Sequence, residues 1–387
     1  MIEVLRSLIE PRHRKNIDWV VILCVVLVMG ASIATIYSAS AGHARDLAQA
    51  SSVGLKQALR QGIFNLLGLG ILAYVATRDY VGMQRHASVF YWCNIALLLL
   101  VKIFGKEKKG AARWIDIGSF QFQPSELTKM IIILTLATFL VRVGPRIKEF
   151  PIFLQSLLHI APAMLLIKMQ PDLGTALVVG AIWLGMVFLA GADWKHLTAI
   201  LLAGVALFGF AWKTGKGLED YQRNRIIVLF MSRENMTREQ RDMAYQGDQG
   251  VVAIGGGQVT GQGFRQGLQT GGGFVPDNWT DFAFSAFAEE TGFVGCVALL
   301  AVYLLLLARG LVCIVESEDT FGRLIVGGVI TYIGFHVIVN VAMNCAFAPV
   351  VGVPLPLFSY GGSAAWTNCA AIGLLLSVRM RRRKLQF

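Results

Sequence analysis

Residues 278–295 read NWTDFAFSAFAEETGFVG, and residues 297–310 continue as VALLAVYLLLLARG. The continuation has the length and composition of a membrane-spanning helix. Three carboxylates, Asp281, Glu289 and Glu290, therefore stand at or inside the edge of a bilayer. Ionised groups at that depth are expensive and mark function by default. This stretch fixes both the fold class and the place to look for chemistry.

The rest of the chain agrees with a membrane setting. Of 387 residues, 55% are hydrophobic and 15% charged, and the mean hydropathy is +0.59, too apolar for a soluble globule. Apolar runs of spanning length fall near 18–39, 61–77, 87–104, 126–142, 151–169, 173–190, 196–212, 281–308, 322–346 and 361–379. They predict an all-α polytopic membrane protein with about ten transmembrane helices. Residues 1–16 lack the short apolar core and small-residue site of a cleaved signal peptide, so none is expected. No repeat or soluble domain is visible, and 1–387 is expected to form a single membrane domain.

A net charge of +11 does not point to nucleic acid, because Lys and Arg gather at helix ends, where they set topology and meet anionic lipid. Short loops on one side carry seventeen of them and those on the other side eight. The positive-inside rule then puts both termini in the cytoplasm and the long segment 213–280 outside. Within it, mixed charges at 221–242 surround an apolar patch at 226–231. That fits either an amphipathic segment on the membrane surface or a solvated loop with a small core of its own. Residues 255–273, GGGQVTGQGFRQGLQTGGG, lack P-loop and dinucleotide-turn spacing, so flexible backbone is expected. The six cysteines have no metal or CxxC spacing and read as packing residues.

The outer face collects the polar features. Lys106, Lys108, Lys109 and Arg113 lie on the side where positive charge is disfavoured, which fits a bound diphosphate or a solvated basic loop; Trp114 brackets Arg113. Ser125 can cap the next helix after Pro124, and Glu126 and Lys129 fall on one helical face, able to pair as scaffold or as part of a site. Gln170 and Asp172 lie in a short turn beside Lys168, with Asp172 placed to be an ordinary N-cap. Asp281 could likewise only cap its helix. Glu289, about 12 Å deeper and about 80° around, and Glu290, roughly opposite, are not needed for a cap. At least one should face the bundle interior and need a cation such as Lys129 or a polar cavity. The last outer loop, 348–366, is uncharged and rich in Pro and Gly. It can fold back into the membrane if protein covers its backbone, presenting Ser359, Tyr360 and Ser363.

Four stretches in order, RWIDIGSFQFQPSELTK (113–129), QPDLGTA (170–176), TDFAFSAFAEETGFVG (280–295) and VPLPLFSYGGS (353–363), resemble the SEDS proteins, the RodA, FtsW and SpoVE group of shape, elongation, division and sporulation factors. The likeness spans nearly the whole chain from residue 18, and the short tails lean toward the RodA branch. Pro276 and Asp277 depart slightly from the family's usual pair there.

The resemblance implies a peptidoglycan glycosyltransferase that polymerises lipid II at the outer face of the bacterial cytoplasmic membrane. The family's essential aspartate falls on Asp281, its functional Glu and Lys on Glu126 and Lys129, and its Arg–Trp pair on Arg113 and Trp114. Inverting displacement of undecaprenyl diphosphate needs a base for the acceptor hydroxyl and cations for the leaving group. Asp281 suits the first, and Arg113 and Lys129 suit the second. No cofactor is required, although a divalent cation, Mg or Mn, could assist the leaving group. A class B penicillin-binding protein transpeptidase is the implied partner. The rival readings are a lipid-linked precursor flippase and the division-specific polymerase of the same family. A flippase would need charge along an alternating path, whereas here the inner half is expected to be nearly free of buried charge.

Overall fold

Apolar runs without turn signals become helices, because backbone polar groups in hydrocarbon must be satisfied within their own segment. The computed structural model describes residues 16–41, 47–108, 111–117, 120–215 and 220–381. Its helices are α1 (Trp19–Ala41), α2 (Leu47–Thr77), α3 (Tyr80–Arg85), α4 (Ala87–Phe104), α5 (Pro124–Val143), α6 (Phe150–Lys168), α7 (Leu173–Leu189), α8 (Trp194–Thr214), α9 (Asp220–Phe230), α10 (Arg238–Gly256), α11 (Leu268–Gly271), α12 (Ala283–Glu316), α13 (Thr320–Asn344) and α14 (Gly362–Met380). Among the described residues eight helices are long and apolar enough to cross a membrane; α7, apolar but shorter, and α14 are not among those eight. Each of the ten apolar runs falls on one helix, with α2 starting earlier and α12 ending later than its run. The chain is an all-α, multi-pass membrane protein.

α13 is the central helix, packed against α5, α7, α12 and α14, while α14 also lies along α2. The resulting core is continuous, from Val25 in α1 through Leu136, Met186 and Ile333 to Leu374. Between α4 and α5 the chain forms a small antiparallel sheet, β1 (Lys106–Lys108), β2 (Ala111–Ile117) and β3 (Phe120–Phe122), in the order β1-β2-β3. Ile115 and Ile117 on β2 and Phe120 and Phe122 on β3 each flank one polar residue, the two-residue period of a pleated ribbon. Lys109 lies outside the described residues, and for Lys106 and Lys108 only the backbone is described.

Within the 213–280 segment α9 and α10 pack around a small core of Val228, Met236 and Ala244, so the patch at 226–231 is partly internal. A reciprocal capping box, Thr237 with Gln240, starts α10. The glycine-rich stretch after it is not flexible backbone. Gln262 N and Gly263 N donate to the carbonyls of Glu289 and Glu290 at 3.0 and 3.1 Å, and Phe293 N and Val294 N donate back to Gln258 and Val259 at 2.9 and 3.1 Å. α12 opens at Gly292, whose φ is 66° and ψ −166°, and the loop fills the break. A Cβ at Gly261, φ +81°, would collide with the Glu290 carbonyl. Glycine here serves close backbone approach rather than mobility.

At the opposite end of the bundle, buried charge is present, contrary to expectation. Asp18 accepts from Arg309 at 2.6 Å and lies 3.2 Å from Arg379, which also pairs with Glu316. These residues sit at the ends of three different helices, α1, α12 and α14, and no local pattern could connect them.

Candidate functional site

The break between α13 and α14 sets the site. Residues 351–359 are irregular yet largely buried, which is tolerable only if side chains meet the backbone oxygens. They do: Asn340 donates to Val353 O at 2.8 Å, Tyr303 to Pro356 O at 2.6 Å and Ser32 to Phe358 O at 2.5 Å, while a ring nitrogen of His336 lies 2.9 Å from Pro354 O. The serines expected to face a ligand are part of this framework. Ser359 Oγ accepts Leu355 N at 2.9 Å, and Ser363 Oγ accepts Gln123 N at 3.0 Å and donates to Gln121 O at 3.2 Å, tying β3 to α14.

Asp281 is half-buried in the turn that precedes α12. It does not cap that helix: the N-cap is Phe282, without a side-chain cap bond. Asn344 does the capping from α13, its Oδ1 accepting the Ser285 amide at 3.1 Å and the Ser285 hydroxyl at 2.6 Å. The amides of Asn340 and Asn344 both donate to the Asp281 carbonyl at 3.0 Å. The backbone of Asp281 is thus held from two sides. Its carboxylate reaches toward the Gly352 turn, with Oδ2 3.6 Å from where a Cβ on that glycine would stand.

Arg113, on β2, gives its Nε to Gln170 O at 2.8 Å and an Nη to Pro171 O. Trp114 beside it is half-exposed. Gln170 is buried and donates to Leu98 O at 3.1 Å. Asp172 is the N-cap of α7, accepting Thr175 N at 3.1 Å, and also receives Gln123 at 3.2 Å and Ser125 at 3.3 Å. The bland reading of Asp172 is therefore correct, with an added tie to α5. Ser125 does not cap α5: with Pro124 in its first turn, the N-cap is Gln123.

Glu126 and Lys129 form the expected pair, 2.7 Å apart, with side chains 6% and 1% exposed. Lys129 Nζ also lies 3.3 Å from His336 Nε2 and over the Tyr332 ring at 5.2 Å. Neither deep glutamate reaches Lys129. Glu289, fully buried, accepts Gln269 N at 2.6 Å, Thr270 N at 2.9 Å and Thr270 Oγ1 at 2.5 Å. Glu290 accepts Ser38 Oγ and Arg265 N. Both hold the 255–273 loop instead of pairing with a cation, because loop amides and hydroxyls can satisfy a carboxylate as well as a charge can.

Residues that sequence reading missed complete the picture. His336, Asn340 and Asn344 recur every fourth residue on one buried face of α13, joining Lys129, the irregular loop and Asp281. Polar residues at that spacing inside an apolar run are a legible signal. Arg225 on α9 is the other. Burial pulls the pKa of its guanidinium down, Tyr221 and Asp281 oppose this, and Arg113 adds to it. Among the described residues no group of three or more His, Cys, Asp or Glu is placed to hold a metal ion.

A family model described as a cell cycle protein, covering FtsW, RodA and SpoVE, matches residues 18–384. The chain belongs to the FtsW/RodA/SpoVE family. Within it, the peptidoglycan glycosyltransferase MrdB of Escherichia coli K12 is 34% identical over 96% of this chain and 95% of its own length. A probable peptidoglycan glycosyltransferase FtsW of Geobacter sulfurreducens is 33% identical over 96% and 98%. Those near-equal identities place the chain in the family without separating its branches. Among solved structures, a chain from a peptidoglycan synthase complex described as coordinating polymerization and crosslinking superposes with a TM-score of 0.77, at 32% identity, over 94% of this chain and 97% of that one.

Proposed function

We propose that this FtsW/RodA/SpoVE member is a peptidoglycan glycosyltransferase that polymerises lipid II into glycan strands at the outer face of the bacterial cytoplasmic membrane, with a role in elongation and rod shape. The 4-hydroxyl of the acceptor sugar attacks the anomeric carbon of the donor. Undecaprenyl diphosphate departs with the electron pair of the broken C–O bond, and the configuration inverts from α to β. Asp281 accepts the hydroxyl proton. The observation that carries the reading is the placement of Asp281: its carbonyl is pinned by Asn340 and Asn344, and Asn344 relieves it of capping α12.

Around it, Arg113 and Trp114 line the donor side. Gln170, Asp172, Glu126, Lys129, Glu289, Glu290, Ser359 and Ser363 act one step back, fixing the turns on which the substrate rests. The reading requires no cofactor, and a divalent cation carried by the diphosphate would add to the same stabilisation. Both termini are cytoplasmic and 213–280 is outside, a reading supported by the Lys/Arg bias. The whole chain works as one membrane domain beside a crosslinking partner, a class B penicillin-binding protein transpeptidase. The near relation to a synthase-complex chain supports that partner. The buried charges at the far end of the bundle are paired at helix ends and trace no path across it, which favours one-sided chemistry over carriage.

The test is lipid II polymerisation by the purified full chain in proteoliposomes, with lipid II supplied on the face bearing 213–280. Glycan strands are the expected product. Movement of lipid II across the bilayer with no polymer would identify a flippase instead.

A further inference from the structure

The two cations expected to meet the leaving diphosphate are both engaged elsewhere. Lys129 is enclosed by Glu126, His336 and Tyr332. Arg113 directs two of its nitrogens to the carbonyls of the 170–171 turn. A third cation enters the same mouth from the outer segment. Tyr221 OH donates to Pro171 O at 3.2 Å, the oxygen that also accepts from Arg113, and so docks α9 on that turn. Arg225 follows four residues later on the same face of α9, its Cζ 5.5 Å from the Tyr221 ring centroid.

Arg225 is half-buried, and among the described residues its guanidinium makes no hydrogen bond or ion pair, only the stacking on Tyr221. It feels attraction from Asp281 and repulsion from Arg113. Arg113 and the Tyr221–Arg225 face of α9 thus meet at the 170–171 turn, with the Asp281 carboxylate within electrostatic reach of Arg225. A desolvated cation without hydrogen-bond acceptors is unfavourable until an anion arrives. A planar guanidinium fork matches phosphate oxygens. A cavity of about 150 Å³ opens beside it, bounded by Tyr221, Arg233, Asp248 and Val350. That is small for a lipid-linked disaccharide and ample for a phosphate group.

We propose that Arg225 is a diphosphate ligand of the transfer site, its guanidinium holding the phosphate oxygens of the donor and of the departing undecaprenyl diphosphate. This rests on the glycosyltransferase reading above. The C–O bond to the diphosphate breaks next to Arg225, and the acceptor proton goes to Asp281 on the other side of the anomeric carbon. α9 thereby brings the outer segment into the reaction.

The experiment compares full-length wild type, Arg225→Gln, Arg225→Lys and Asp281→Asn in two assays: binding of inorganic pyrophosphate by calorimetry in detergent, and turnover of lipid II. Arg225→Gln should weaken pyrophosphate at least tenfold and lower turnover by roughly 10². Arg225→Lys, which keeps charge without the fork, should fall between. Asp281→Asn, which removes the carboxylate that competes for Arg225, should bind pyrophosphate at least as tightly as wild type while losing turnover. Wild-type affinity and turnover in folded Arg225→Gln overturn the assignment and leave the polymerase reading standing. Should Arg225→Gln not fold, unchanged affinity in Arg225→Lys overturns it equally. Loss of polymer in the wild type sinks the polymerase reading, while the pyrophosphate arm still decides the site. Competition by phosphatidylglycerol micelles as strong as that by pyrophosphate assigns the site to a lipid headgroup and rejects a diphosphate.

Discussion

The side-chain amide of Asn344 donates to the backbone carbonyl of Asp281 at 3.0 Å. Through its oxygen the same side chain accepts the Ser285 amide, so one residue of α13 both starts α12 and fixes the residue before it. The outer end of α12 is built from a distant helix, and the carboxylate of Asp281 is not needed to build it.

Asn344→Ala should therefore harm position before stability. It leaves the Ser285 amide unmet and removes one of two anchors on the Asp281 carbonyl, costing about 1–3 kcal/mol of stability. A displacement of the carboxylate by an ångström would lower turnover by roughly 10². Thermal unfolding and lipid II turnover on the same preparation check both. Full activity would show that Asn340 alone suffices.

The Glu126–Lys129 pair is buried, and the second carboxylate oxygen of Glu126 has no hydrogen-bond partner among the described residues. Removing one partner leaves the other charge uncompensated at about 3–5 kcal/mol, whereas replacing both by apolar or neutral residues of similar size costs less. Glu126→Gln and Lys129→Met should each destabilise more than the double variant. Equal stability of all three in denaturation would show that the two charges do not compensate one another.

Much of this was legible in the sequence because membranes impose a length on apolar runs, and the ten runs each became a helix. Local chemistry was legible too, as with the Glu126–Lys129 spacing and the Asp172 cap. What escaped were contacts between segments remote in sequence. Asn344 meets Asp281 across 63 positions, and Asp18 meets Arg309 across 291. The glycine-rich loop misled for a related reason. Composition reports that glycine permits many conformations, while only the neighbouring backbone reveals that one of them is demanded.

Gly261→Ala should be sharply destabilising, since its φ is +81° and a Cβ would meet the Glu290 carbonyl. The loss should exceed the approximately 1 kcal/mol ordinary for a backbone-only change. Gly255→Ala, in α10 with nothing within 4 Å, should be neutral or gain about 0.5–1 kcal/mol. Similar melting temperatures for the two variants would argue that 255–273 is loose after all.

Ser232 is exposed between α9 and α10, so a cysteine placed there reports the side on which the outer segment lies. Ser232→Cys should react with a membrane-impermeant maleimide in intact spheroplasts, in a background lacking the exposed Cys93. Labelling only after lysis would invert the topology and move the site to the cytoplasm.

The most demanding expectation falls on Asp281. Asn at this position keeps the size of the side chain and leaves untouched the carbonyl that Asn340 and Asn344 hold. Because the N-cap of α12 is Phe282 and the Ser285 amide is met by Asn344, Asp281→Asn should change stability by less than about 1 kcal/mol. A base that takes the acceptor proton is lost, and turnover of lipid II should fall by roughly 10² or more while lipid II still binds. Stability and binding measured beside turnover separate a lost base from a lost fold. Normal glycan strands from folded Asp281→Asn protein would contradict the assignment. The proton acceptor would then have to be sought elsewhere, and Glu289 and Glu290 are poor substitutes because their oxygens already hold the outer loop.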